Sequence, residues 1–187
     1  MVEKPLPGVV LSGEEIKRLI FSPTPLIEGY ISLEEQLQPA GFEVTVAEVA
    51  VLESPGRLGF TGEERRLPRI KPLKLSEDSF TLLPRGVYLV RYNEAVRLPN
   101  NLIALVFPRS SLMRSGAILY TAVWDPGYHG RGQGLLNVYN PNGIELRLGS
   151  RIGQIVFLRL SRPAEKPYQG AYQSEGLTQP SNSVDAG

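Results

Sequence analysis

From residue 41 onward, glycine and proline cut the chain into short apolar segments. These are "GFEVTVAEVAVLE" (41–53), "SFTLLP" (79–84), "GVYLVRYN" (86–93), "NLIALVFP" (101–108), "GAILYTAVW" (116–124), "GLLNVYN" (134–140), "IELRL" (144–148) and "RIGQIVFLRL" (151–160). The first alternates between Phe42 and Val51, and β-branched residues recur throughout. Turn signals such as "LPRG", "DPG" and "NPNG" separate the segments at intervals of roughly ten residues. Many short strands with Gly/Pro turns predict a sandwich, a jelly roll or a barrel. A chain of 187 residues with 42% hydrophobic content can bury one such core.

One helix is expected ahead of the strands. In "LSGEEIKRLI" (11–20), Ser12 stands three residues before Glu15, the spacing of a capping box. Ile16, Leu19 and Ile20 make its apolar stripe, and Pro23 and Pro25 end it. A single helical turn is expected at "RSSLMRSG" (109–116), stopped by Gly116. The polar stretch 53–72 reads as an excursion or long hairpin. The resulting layout is a helix and lead-in over 1–37, a β-domain over 38–162 and a C-terminal arm over 163–187. The arm has two readings: a disordered tail, or a segment that folds over a bound ligand.

Composition removes several chemistries. There is no Cys, so disulfides, thiolate metal sites and a Cys nucleophile are excluded. His129 is the one His, so a zinc site of His and Cys cannot form, and a metal would need oxygen ligands, which suits Mg²⁺. No G-x-S-x-G turn accompanies His129. The net charge of +1 points to neither nucleic acid nor an anionic membrane. No secretory leader is read at the N-terminus, and no apolar run approaches a membrane span. A cytoplasmic location is the expectation, since absent Cys agrees with a reducing compartment.

Four short motifs carry chemistry. "WDPGYHG" (124–130) holds Asp125 at the mouth of a turn, with Tyr128 and His129 just beyond. Asp, Pro and Gly are also ordinary residues of a β-turn. In "PRSSLMRSG" (108–116), Arg109 and Arg114 bracket Ser110 and Ser111. Two guanidinium forks, two hydroxyls and a helix start make either an anion site or an exposed capped turn. Gln154 lies among apolar neighbours in a strand, where an unpaired amide costs roughly 1–3 kcal/mol; backbone or a ligand would serve as its partner. Glu43 opens a strand after the "QPAG" turn.

Taken as an ordered set, "AGFEV", "RSSL", "WDPGYHG", "RIGQ" and the glycine-containing arm resemble the dUTPase and dCTP deaminase superfamily, from about Gln38 to Ser181. The resemblance implies an all-β fold, a distorted jelly roll or β-barrel, assembled as a homotrimer with active sites between subunits. It also implies a deoxyribonucleoside triphosphate substrate, with Mg²⁺ bound through the triphosphate. By the same resemblance Asp125 is the catalytic acid that activates water, and Tyr128 packs under the deoxyribose and rejects a 2′-hydroxyl. Arg109, Ser110, Ser111, Arg114 and Gln154 hold the phosphates. Leu135, Leu136 and Asn137 line the substrate site, and Tyr168, Tyr172 and Gln173 of the arm join them.

The superfamily holds two reactions. Deamination needs a general acid/base beside the cytosine, supplied in the family by a Glu three residues before the Asn of "YN". Here that position is Asn137, and an amide cannot shuttle a proton at neutral pH. The arm has Ala171 where deaminases commonly carry Lys, and Glu175 where a Gln is often found. The expected function is therefore hydrolysis of dUTP to dUMP and pyrophosphate on a deaminase-like scaffold. The alternatives are a dCTP deaminase, mono- or bifunctional, and a non-catalytic nucleotide-binding homologue. A carbohydrate-binding jelly roll remains the reading from fold alone.

Overall fold

Ser12 caps a helix as its spacing predicts. In a computed structural model describing residues 9–177, the Ser12 hydroxyl accepts from the Glu15 N–H and the Glu15 carboxylate accepts from the Ser12 N–H at 2.9 Å. The elements in chain order are α1 (Gly13–Ile20), β1 (Ile27–Glu28), α2 (Leu33–Gln36), β2 (Leu37–Gln38), β3 (Gly41–Leu52) and a 3₁₀ turn (Gly62–Glu64). Then follow β4 (Ile70–Pro72), β5 (Thr81–Leu83), β6 (Gly86–Tyr92), β7 (Ala95–Arg97), β8 (Leu102–Pro108), α3 (Ser110–Arg114) and β9 (Ala117–Tyr120). The last are β10 (His129–Gly130), β11 (Gln133–Val138), β12 (Ile144–Leu146) and β13 (Arg151–Arg159). Residues 1–8 of the lead-in and 178–187 of the arm, including the Ser181 end of the resemblance, lie outside the described residues.

The main sheet runs β8-β13-β3-β6-β11-β9, with β2 and β4 added to β3. β3 serves two neighbours. Its first half pairs with β13 and its second half with β6, and a register shift between Val46 and Glu48 bends it between them. The sheet then nearly closes. Beyond β9 the chain runs back along β8, where Ala104 and Trp124 exchange two backbone hydrogen bonds of 3.0 Å each. The architecture is the all-β, barrel-like one that the turn spacing predicts.

Apolar side chains of the sheet fill the interior, in alternation along β6, β8 and β11 and without it in the first half of β3. Phe42, Val44 and Val46 of β3, Val90 and Tyr92 of β6, Leu136 and Val138 of β11, and Ile155 and Phe157 of β13 are buried. α1 adds Ile16 and Ile20 to the same core; a fully buried Ile contributes about 1.5–3 kcal/mol. The stretch 53–72 forms the expected hairpin, closed by an Arg57–Arg66 bridge and the pairing of β4 with β3. "GAILYTAVW" is a strand only to Tyr120, because the chain leaves β11 there to reach β8. α2, β1, β2, β7 and β10 lie outside the helix and strand segments expected from the sequence. No helix among the described residues is long and apolar enough to cross a membrane.

Candidate active site

Asp125 follows directly on the residue that bridges to β8. Pro126 and Gly127 then form a type II turn, in which Gly127 has φ of 87° and the Tyr128 N–H donates to the Asp125 carbonyl at 3.1 Å. Glycine alone takes that φ without strain. The turn leaves Asp125 exposed on a groove of about 540 Å³. Leu89 and Leu135 of the outer sheet face form the floor. The hairpin supplies one wall through Leu67, Pro68 and Ile70, and Tyr168, Tyr172 and Glu175 of the arm supply another. Arg65 of the hairpin lies 5.4 Å over the Tyr172 ring and links the two walls.

Tyr128 is only 3% exposed. Its ring stacks on Trp124 at 5.6 Å and meets Tyr168 edge-on at 5.9 Å. Its hydroxyl donates to Glu175 Oε1 at 2.9 Å. Burial, and next the Glu175 carboxylate, push that hydroxyl far above its ordinary range, so it is a donor at neutral pH. Burial also pushes the Glu175 carboxyl up, against the Tyr128 bond and the nearby Arg91. The His129 ring turns elsewhere, 3.3 Å from Arg97 and 3.9 Å from Glu28. Burial, then Arg97, hold its pKa below the usual value, with Glu28 opposing.

The arginine-serine loop starts where β8 ends. The Arg109 N–H donates to the Ile152 carbonyl at 3.0 Å, and buried Leu112 anchors α3. Ser110 and Ser111 are exposed at its start, and Arg114 is exposed on the last turn. Arg109, Ser110 and Gln154 border a groove of about 430 Å³ with Gln38 and Glu43. Arg109, Ser111 and Arg151 border a second of about 370 Å³ on the other side. Gln154 donates weakly to the Ala40 carbonyl, at 3.4 Å. Glu43 is buried under two cations: Arg109 Nε is 2.6 Å from its Oε1, and Arg151 Nη1 is 3.2 Å from its Oε2.

Asp125 and Arg109 border different grooves. Trp124 pairs with Ala104, while Arg109 lies beyond the far end of β8. Counted along β8, roughly 20 Å separates the two positions, at the usual rise per strand residue. On one copy of the chain the acid and the loop therefore stand apart, on separate grooves.

A dCTP deaminase-like family model matches residues 10–160. The chain belongs to the dCTP deaminase-like family. It is 45% identical over 166 residues to a Methanosarcina mazei protein named "Probable deoxyuridine 5'-triphosphate nucleotidohydrolase", covering 89% of this chain and 97% of that one. A Methanocaldococcus jannaschii protein named "Deoxyuridine 5'-triphosphate nucleotidohydrolase" is 40% identical over 141 residues, 75% of this chain and 88% of its own. Among solved structures, the 2'-deoxycytidine 5'-triphosphate deaminase of Agrobacterium tumefaciens matches with a TM-score of 0.62 at 23% identity. It covers 81% of this chain, and this chain spans 48% of it; that likeness supports the fold.

Other residues of this dCTP deaminase-like chain sit differently from their expected places. Leu136 is fully buried, and β6 and β9 pair with β11 on either side of it, so its side chain reaches the core and no ligand. Asn137 shares the outer face with Leu135 but lies two residues along, beyond the groove lining. Both ends of the Gln173 amide are engaged by the turn: Oε1 accepts from the His129 N–H and Nε2 donates to the Gly127 carbonyl, each at 3.0 Å. The arm through Leu177 is docked on the body of the same chain, with Tyr168 N–H bonded to the Pro126 carbonyl and Ser174 N–H to the His129 carbonyl, each at 2.7 Å.

Two groups escaped the sequence reading. Gln133 enters the groove through the alternation of β11, and Arg151 reaches Glu43 from β13. Among the described residues no group of three or more His, Asp or Glu side chains is arranged to hold a metal. Glu43 is committed to its arginines; the loop's Arg and Ser donors suit phosphate oxygens, and exposed Asp125 offers carboxylate oxygens to a cation that those phosphates would carry.

Proposed function

We propose that this chain is a dUTP diphosphatase that releases dUMP and pyrophosphate. The observation that carries this reading is its 45% identity, across 89% of its length, to a relative named for that activity. Asn137 in place of an acid on the outer face of β11 agrees with it. Asp125 takes a proton from water, and the water oxygen bonds to the α-phosphorus. The bond from that phosphorus to the bridging oxygen breaks, and the pair leaves with pyrophosphate. Arg109, Ser110, Ser111, Arg114 and Gln154 hold the phosphates and offset the charge that develops. Mg²⁺ on the triphosphate would supply further charge neutralisation.

The roughly 20 Å between the acid and the loop along β8 supports sites shared between copies, and a homotrimer is the assembly proposed. Tyr128 packs under the deoxyribose. Because Tyr168 meets its ring and Glu175 holds its hydroxyl, the sugar reaches it only after the arm swings off, and the arm is proposed to close again over the bound nucleotide. A cytoplasmic location is proposed from the absence of Cys.

One observation favours a second activity. Glu175, a carboxyl raised by burial, borders the same groove as Asp125, and a raised carboxyl is what an acid/base catalyst of deamination requires. The deciding experiment assays dUTP, dCTP, dTTP and UTP side by side, with and without Mg²⁺, reading pyrophosphate and ammonia. Pyrophosphate from dUTP alone is expected. Ammonia from dCTP would establish the second activity, and triphosphate bound without turnover would leave a non-catalytic nucleotide binder.

A further inference from the structure

Glu43 is an acid placed where the proposed site receives an anion, and its carboxylate is 5% exposed. Such a charge is expensive unless paired, and the pairing is specific. Arg109 donates from Nε to Glu43 Oε1 at 2.6 Å and from Nη1 to the Arg151 carbonyl at 3.3 Å. Arg151 in turn lies 3.2 Å from Glu43 Oε2, and its Nη1 donates to the Glu35 carbonyl at 2.6 Å. Register reinforces the arrangement, because Gln154 of β13 pairs with Glu43 of β3 and with Phe107 of β8. Arg109 thus spends two of its guanidinium nitrogens, Nε and Nη1, on the protein. Its Nη2 makes no hydrogen bond or ion pair with the protein among the described residues, and Arg109 borders the same groove as Ser110.

We propose that Glu43 is a positioning residue: clamped between Arg109 and Arg151, it fixes the Arg109 fork in the orientation that receives the phosphates. This rests on the diphosphatase reading, and it assigns Glu43 a task other than holding a metal. Preorganisation of this kind acts through a held donor rather than through contact with substrate.

Titrate inorganic pyrophosphate into the wild type and into Glu43→Gln by calorimetry, with thermal unfolding measured alongside. Charge alone predicts tighter binding to the variant, because a negative group has been removed. A positioning role predicts the reverse, a loss of about 10- to 100-fold, the usual effect of removing a partner that orients a ligand-contacting group. The same substitution is expected to raise KM for dUTP more than it lowers kcat, at a temperature where the variant is folded. Equal or tighter binding to the variant overturns the proposal, as does a wild type without affinity for pyrophosphate. Should the Gln substitution fail to fold, Glu43→Asp keeps the charge and withdraws it by one methylene; unchanged pyrophosphate affinity there overturns the proposal. A wild type that binds pyrophosphate in a Glu43-dependent way, yet leaves dUTP intact, removes the diphosphatase reading and leaves the role of Glu43 standing.

Discussion

The Tyr128 hydroxyl reaches across 47 residues of chain to donate to Glu175 at 2.9 Å, fastening the C-terminal arm to the turn that carries Asp125. Replacing Glu175 by Leu leaves that buried hydroxyl without its acceptor, at a cost of about 1–3 kcal/mol. The arm is expected to loosen rather than the barrel to unfold. Trp124, the one tryptophan, stacks on Tyr128 and serves as the probe. Its emission should shift to longer wavelength in Glu175→Leu while the unfolding midpoint of the barrel changes little.

Glu94 sets a pH dependence. It is fully buried, its Oε1 accepting from Gln36 at 2.7 Å and Thr45 Oγ1 at 2.6 Å, and its Oε2 from the Thr45 N–H at 2.9 Å. Burial raises its pKa above the ordinary 4.5, and the hydrogen bonds only partly oppose this. The folded state therefore binds the proton more tightly than the unfolded chain. The stability tied to this group is full below the unfolded pKa and declines as pH rises through the folded value. Denaturant melts across that window should show this slope in the wild type and lose it in Glu94→Gln.

Gly41 tests how closely Gln154 is held. A Cβ there would collide with the Ile155 carbonyl and stand 2.6 Å from Gln154 Nε2. Gly41→Ala is expected to destabilise the protein by about 1–3 kcal/mol through overpacking. It should also weaken pyrophosphate binding by displacing Gln154. Both are readable in one calorimetric series.

Asp125→Asn keeps the type II turn and removes the proposed base, so the rate of dUTP hydrolysis should fall by roughly 10²–10³-fold, as for loss of a group that stabilises the transition state. Arg109→Ala should be comparably impaired. Because the two residues border different grooves, mixing the two inactive proteins and letting subunits exchange should restore part of the activity. A mixture as inactive as its components would place both residues in one subunit's site.

Local signals explain what the sequence made legible. The Ser12–Glu15 box, the β3 strand and the Asp125–Pro126–Gly127 turn are each written within a few residues and each forms where expected, although the first half of β3 is buried on both faces rather than alternately. α2, β7 and β10 are too short for any period to register. The period of two already separates Leu136 from Leu135 and Asn137, yet a family match treats the three as one run. Gln173 and the arm were beyond local reading, because their partners are backbone groups of residues 126–129, some forty residues upstream. The clamp on Glu43 joins β3, β8 and β13 and emerges only once their register is known.

The placement of Asp125 and Arg109 toward opposite ends of one strand has a genetic corollary. If copies complete one another, a chain faulty in either residue spoils a pocket it shares with a sound neighbour. A chain faulty in one residue then silences a single pocket, whereas a chain faulty in both spoils two, so only doubly damaged molecules would silence more than their own number and act as dominant poisons.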